Sequence, residues 1–230
     1  MSVAASASSV VREPATQPAG SALSLVGITR RFGHKWALRG IELDVAFGDL
    51  IVIQGHNGGG KSTLLRVIAT AVQPTGGSGR VLGKDLKRDA TQIRAQSGLL
   101  GTSNGLYEDL SATENLLFAA RMLGVRQPTP RVAEALRQVG LASDADERVR
   151  AFSSGMQRRL ALARLLLQQP KLLLLDEPFN TLDADGTALV HDLMAGARER
   201  GGAVVVVLHD LARLGVAPSA TYTMTMGRLS

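Results

Sequence analysis

Gly55, His56, Asn57, Gly58, Gly59, Gly60, Lys61, Ser62 and Thr63 stand in a row, and their types and order suit the binding of a polyphosphate. Gly55 to Ser62 fit the pattern G-x-x-x-x-G-K-[ST]. The glycines let backbone N–H groups turn inward around phosphate oxygens, where a Cβ would obstruct them. A helix beginning near Lys61 points its unpaired N–H groups and the positive end of its dipole at the same anion. Lys61 reaches the β- and γ-phosphates, and the Ser62 hydroxyl is a ligand for Mg²⁺. An apolar run before the loop, Leu50-Ile51-Val52-Ile53, reads as a strand, and Leu64 to Ala69 reads as a helix. Strand, glycine loop and helix form the context that confirms the motif.

Three further groups have the chemistry to act on a bound triphosphate. Asp176 and Glu177 end the run Leu172-Leu173-Leu174-Leu175. A continuous apolar run reads as a strand buried on both faces of a parallel sheet, and ligands bind at the carboxyl ends of such strands. Asp176 is placed to hold Mg²⁺, and Glu177 to polarise a water for attack on the γ-phosphate. His209 ends a second buried run, Ala203 to Leu208, where an imidazole can hydrogen-bond the γ-phosphate and the attacking water. Ser153 precedes a long helical stretch that is stopped by Pro170, and it has the type of an N-cap. With Gly155 it forms a small turn at a helix N-terminus, a second place for an anion.

Composition bounds the framework that carries these groups. The 230 residues suit one domain, or a domain with a subdomain. Apolar residues make up 45% and charged residues 20%, enough to bury a real core. Cysteine is absent, which excludes disulfides, cysteine–zinc sites and thiol catalysis, and fits a reducing compartment. No run approaches 18 consecutive apolar residues, so no transmembrane helix is expected. The net charge of +6 gives a basic surface, suited to solvent, anionic lipid, a membrane partner or nucleic acid. Aromatics are only 3%, which argues against stacking platforms for single strands.

Residues 1–22, rich in Ala, Ser, Pro and Thr, read as a disordered tail. They lack the basic start and long apolar stretch of a secretory signal. Order is expected from about Leu23, with Leu23 to Thr29 as an edge strand and Ile41 to Val45 as its neighbour in a small antiparallel sheet. Between them lie Phe32 and Trp36. Either ring stacks on an adenine face, or both pack within the sheet. Pro74 to Gly79 reads as a turn-rich break, 80–93 as a short strand and a polar connection, and Ser97 to Leu100 as a core strand. After a loop from Gly101 to Asp109 the period becomes helical, with Leu116, Leu117, Ala120 and Leu123, then Val132, Leu136 and Val139. Residues 102–152 therefore read as a helical insertion in an α/β core.

Taken together, these residues resemble an ABC-type ATPase, the nucleotide-binding subunit of an ABC transporter. The resemblance runs from Leu23 to the C-terminus. It rests on the phosphate loop, Ser-Ser-Gly-Met-Gln at 153–157, Leu-Leu-Leu-Leu-Asp-Glu-Pro at 172–178 and the strand-end His209, in the family's order and spacing. It implies an α/β P-loop core with a mainly parallel sheet, an N-terminal antiparallel β-subdomain and an inserted helical subdomain within 23–230. It also implies two cassettes closing head to tail, as a homodimer or heterodimer, with each ATP–Mg²⁺ between one phosphate loop and the other subunit's signature turn. Phe32 becomes the adenine-stacking residue. Ser153 and Gly155 touch the opposite γ-phosphate, Glu177 is the general base, Asn180 to Asp183 cross the interface, and His209 is the switch histidine. A separate membrane permease is the implied partner, with no nucleic acid, and the implied location is peripheral, on the cytoplasmic face of the cell membrane.

Two departures stand out. The signature turn reads Phe-Ser-Ser-Gly-Met at 152–156 where the family has Leu-Ser-Gly-Gly-Gln. Thr102 stands about where the family has a glutamine that reaches Mg²⁺ and the attacking water. Gln96 lies too far upstream to replace it, which leaves Thr102 or Ser103 acting through a water, or slow turnover. Within the family, 31–40, 106–112, 148–153 and 158–164 are similar to the cytochrome c biogenesis haem-exporter ATPases. Drug- and polysaccharide-export cassettes share much of this vocabulary. A soluble cassette protein acting on nucleic acid or the ribosome is the remaining alternative, for which the basic charge argues and the single phosphate loop argues against.

Overall fold

A computed structural model describes residues 20–230. The expected tail lies almost wholly outside them. Two sheets form the framework. In the first, β1 (Ser21–Phe32), β2 (Lys35–Ala46), β4 (Gly76–Val81) and β5 (Lys84–Asp85) are ordered β2-β1-β4-β5 and antiparallel. In the second, β3 (Leu50–Gln54), β6 (Ser97–Leu100), β7 (Leu172–Asp176), β8 (Ala203–Val207), β9 (Ala220–Thr225) and β10 (Arg228–Leu229) are ordered β10-β9-β3-β8-β7-β6. All neighbours there are parallel except β10 on β9.

The apolar runs of the central strands divide between two layers, as their alternation requires. Leu50, Val52, Leu173, Leu175, Val204 and Val206 face one core. There they meet α3 (Ala112–Met122), α4 (Pro128–Gln138), α5 (Ser154–Gln168) and α6 (Ala184–Glu199). Ile51, Ile53, Leu172, Leu174, Val205 and Val207 face the other core, with α1 (Lys61–Ile68) and the antiparallel sheet. Full burial of both faces explains why these strands carry no polar alternation.

The helices stop and start on local signals. Ser111 caps α3 through a reciprocal box: its hydroxyl accepts from Glu114 N at 3.1 Å, and its own N–H donates to Glu114 Oε2 at 2.8 Å. Pro128 stands in the first turn of α4, where its missing N–H costs nothing. Helices α3 and α4 both fall within 102–152 and pack on α5 through the first core.

Several sequence expectations need correction. β1 is not an edge strand, because β4 pairs along its other side. Its loose alternation comes from register shifts against β2 between Leu25 and Ile28 and between Ile28 and Thr29, beside Gly27 at φ +61°. The 74–79 stretch is not wholly a break, because Gly76 to Val81 form β4. Its glycines are there for close approach: a Cβ on Gly79 would lie 2.9 Å from Ser24 O of β1. Residues 80–93 include the start of another helix, α2 (Ala90–Gln96). A further strand, β9, follows β8 and pairs with β3.

Candidate functional site

The chemistry-bearing groups gather at the carboxyl ends of β3, β6, β7 and β8, where the parallel strands release their chains into loops. From β3 the chain turns through the phosphate loop into α1. Gly58 and Gly60 have φ of +77° and +111°, conformations that L side chains rarely adopt. Gly60 is the N-cap of α1, with no side-chain cap and no acidic residue in the first turn. The N–H groups of that turn therefore stay available to an anion. Lys61 is 7% exposed, and its ammonium donates to Gly55 O at 2.5 Å and His56 O at 3.1 Å. A buried cation held only by its own loop's carbonyls is ready to exchange them for phosphate oxygens.

The opposite wall comes from β7 and β8. Asp176 is 4% exposed at the end of β7. Glu177 follows with φ +47°, left-handed for a residue with a Cβ, and its N–H donates to Val207 O at 3.1 Å. His209 Nε2 lies 3.1 Å from Asn57 Oδ1 and 3.2 Å from Glu177 Oε1. Only the Asn57 contact has hydrogen-bond geometry, so Glu177 Oε1 remains buried and unpartnered. Burial raises the Glu177 pKa; His209 lowers it, Asp176 raises it further, and Lys61 and Arg213 lower it. A carboxylate with a raised pKa on the wall of the cavity suits a general base.

These walls enclose a cavity of about 360 Å³. The cavity brings together Phe32, Asn57, Gly58, Gly59, Gly60, Lys61, Ser62, Thr63, Asp176, Glu177 and His209. Gly55 and His56 lie behind it and act through the carbonyls that hold Lys61. Phe32 is 47% exposed at the cavity mouth, with the Arg30 guanidinium 4.3 Å from its ring centroid on one side. Trp36 is also exposed, under Arg31, and does not line the cavity. Of the two rings, only Phe32 lines the cavity. Lys35 and Ala37 also line this wall.

Thr102 faces the cavity and Ser103 does not. Gln96 ends α2 at the amino-terminal end of β6, at the far end of the strands from the site. A second cavity of about 420 Å³, lined in part by Ser103, Arg66 and Arg164, meets the first at Ser62, Thr102 and Asp176.

Ser153, Gly155 and Asp183 are not on this cavity. Ser153 caps α5 by accepting from Met156 N at 3.2 Å. A Cβ on Gly155 would lie 3.1 Å from Thr181 O, so the turn and the 180–183 loop pack together. Asp183 caps α6 through Gly186 N and receives both Nη2 contacts of Arg159 at 2.6 and 2.8 Å. The Gly186 N–H, then Arg159, lower its pKa. Ser153, Gly155 and Asp183 thus lie close together on a second face, separate from the first cavity.

The donor set suits a hard divalent cation bound together with a phosphate. Ser62 Oγ and a buried aspartate, Asp176, share the cavity, and Glu177 Oε1 is orphaned beside them. Among the described residues no cluster of three acidic or histidine side chains forms a cage. Mg²⁺ needs no such cage when the nucleotide supplies further oxygens.

Sequence reasoning passed over one buried residue. Arg158 is 5% exposed on the inner face of α5 and binds the backbone of β7's end and of the 101–104 loop. The signal was there: Arg158, Ala161, Leu162 and Leu165 share one helical stripe, and a charge within an apolar stripe has to be paired.

The model of the family described as ABC transporter matches residues 38–180. The chain belongs to the ABC transporter family. It is the family's ATP-binding subunit, an ATPase. It is 42% identical to the cytochrome c biogenesis ATP-binding export protein CcmA 2 of Cupriavidus metallidurans, over 78% of this chain and 85% of that protein. It is 40% identical to the daunorubicin resistance ATP-binding protein DrrA3 of Streptomyces coeruleorubidus, over 83% of this chain but only 60% of that protein. Its fold superposes with a TM-score of 0.82 on a dimeric ATP-binding cassette in a post-hydrolysis state bound to ADP and Pi, at 25% identity, covering 90% of this chain and 96% of that one. The α/β cassette architecture expected from the sequence is thus present, and no described helix is long and apolar enough to cross a membrane.

Proposed function

We propose that this ABC ATPase powers export through a separate membrane permease in cytochrome c biogenesis, with haem as the cargo. The observation that carries the ATPase chemistry is the single cavity joining Lys61, Ser62, Asp176, Glu177 and His209. ATP enters with its base on Phe32 and its phosphates on the loop N–H groups and α1. Lys61 leaves the carbonyls of Gly55 and His56 for the β- and γ-phosphates. Ser62 and Asp176 would hold Mg²⁺, which offsets charge on the phosphate oxygens when bound. Glu177 orients a water and takes its proton as the water oxygen bonds to the γ-phosphorus and the ADP oxygen leaves. His209, fixed by Asn57, donates toward the γ-phosphate. A second copy supplies Ser153, Gly155 and Asp183 from its own exposed face, so that both copies complete each site.

An exposed apolar group beside the 105–107 loop suits the permease. Tyr107 and Phe118 meet edge to face at 5.1 Å, and Met122 is 75% exposed next to them. This face lies on the cytoplasmic side of the membrane in the proposed complex. The cargo assignment rests on the likeness to the cytochrome c biogenesis relative. Deleting the chain from its own cell tests it: covalent c-type haem is lost, wild type restores it, and Lys61→Ala does not. Retained haem, with new sensitivity to an anthracycline, would favour the drug-export reading suggested by the likeness to DrrA3.

A further inference from the structure

The catalytic carboxylate sits on a strained stretch of backbone, and one buried side chain spans that stretch. Glu177 at φ +47° occupies a region that L residues disfavour. Three hydrogen bonds hold its peptide groups. Its N–H donates to Val207 O of β8 at 3.1 Å, and its C=O accepts from Arg158 Nη2 at 2.9 Å and, more weakly, from Asn180 N at 3.3 Å within the following turn. The same Nη2 donates to Asp176 O at 2.9 Å. The other arm, Nη1, donates to Gly101 O at 2.5 Å and to Asn104 Oδ1 at 3.4 Å. One guanidinium thus joins the end of β7 to the loop that carries Thr102. Its Nε has no partner, so its contacts are those of the two arms.

The placement runs against ordinary solvation. Burial lowers the Arg158 pKa, and only the charges of Asp176 and Glu177 oppose it. None of its hydrogen bonds goes to either carboxylate. The cation is retained where it meets backbone carbonyls, and a planar fork with several N–H groups is the side chain that can reach two segments at once.

We infer that Arg158 is a positioning residue for the ATPase reaction: it holds Glu177 in its left-handed conformation and ties that carboxylate's aim to the 101–104 loop and to α5. This rests on the reading of Glu177 as the general base. It has a consequence for the dimer. Ser153 and Gly155 open the helix that carries Arg158, so a shift of α5 on closing over a partner's nucleotide reaches Glu177 through one side chain.

The test is a double-mutant cycle with Glu177→Gln, read as single-turnover hydrolysis. Arg158→Lys keeps the charge but loses the fork. It is expected to lower the turnover rate about tenfold with KM for ATP changed less than about twofold, the pattern of a group that acts on the transition state alone. In the Glu177→Gln background the same change is expected to cost less than about twofold, because no base remains to be aimed. Arg158→Gln, which retains two amide donors, is expected to fall between Arg and Lys. Equal losses from Arg158→Lys in both backgrounds would overturn the inference, and so would a raised KM with unchanged turnover. Full turnover in Glu177→Gln alone would instead overturn the reading of Glu177 as base. If Arg158→Lys melts far below wild type, Arg158→Gln carries the same cycle, and an uncoupled loss there refutes the inference too.

Discussion

Replacing Gly60 with alanine isolates what the phosphate loop requires of its backbone. Gly60 has φ +111°, and a Cβ there would lie 2.5 Å from Ala37 O of β2. The obstacle is backbone, so relief requires moving a strand. Gly58 is the internal control, since it also has positive φ, +77°, but nothing lies within 4 Å of its Cβ position. Left-handed strain costs an L residue about 1–2 kcal/mol. Overpacking into a fixed neighbour adds about 1–3 kcal/mol. The reduced freedom of the unfolded chain favours both variants equally and cancels in the comparison. Gly58→Ala is therefore expected to lose about 1 kcal/mol and Gly60→Ala about 3 kcal/mol. At about 2–4 °C per kcal/mol for a domain of this size, the melting temperature falls by about 2–4 °C and about 6–12 °C respectively. Calorimetry on the nucleotide-free protein reads both. Equal shifts for the two variants would show that β2 yields freely to the loop and would refute the packing argument.

Other outcomes follow from the same geometry. A base must be deprotonated to act, and burial places the Glu177 pKa above the ordinary 4.5. Turnover should therefore fall with acid at a pH higher than an exposed carboxylate would give; this limb should persist in His209→Ala and vanish from the residual rate of Glu177→Gln. Thr102→Gln should raise steady-state phosphate release about fivefold, the value of one added hydrogen bond of about 1 kcal/mol in the transition state. No gain would mean that Thr102 already serves the site through water. Ser111→Ala removes the hydroxyl that accepts from Glu114 N and keeps the backbone N–H that donates to Glu114 Oε2, so it should cost about 1 kcal/mol while leaving ATP affinity unchanged, as titration calorimetry on the folded protein would show.

What the sequence revealed depended on where the side chains point. The phosphate loop and the run ending in Asp176 and Glu177 were legible because loop chemistry and double-faced burial each leave a local mark. The antiparallel sheet was less so. In β4 the glycines of 76–79 read as a turn, although they are there because β1 passes too close for a Cβ. β9 carries the alternation of a half-buried strand, around Met224, whose backbone packs against Gly55 and Gly59, and was passed over all the same. Arg158 stood in the sequence only as a charge within an apolar helical stripe, which demands a partner without naming it. Its partners, Gly101 and Glu177, are 57 and 19 residues away, and no local pattern encodes backbone acceptors at such separations. The family resemblance already singled out Phe32 over Trp36, and the hairpin's course puts Phe32 and not Trp36 on the cavity.

In the proposed mechanism two copies of this chain close around ATP to complete each site. The most direct measurement is the solution mass of Glu177→Gln by light scattering, with and without saturating ATP–Mg²⁺. The expected masses are the 24.2 kDa protomer without nucleotide and twice that with it, a shift that Ser153→Arg abolishes. A protomer mass that does not change under saturating nucleotide would contradict that mechanism.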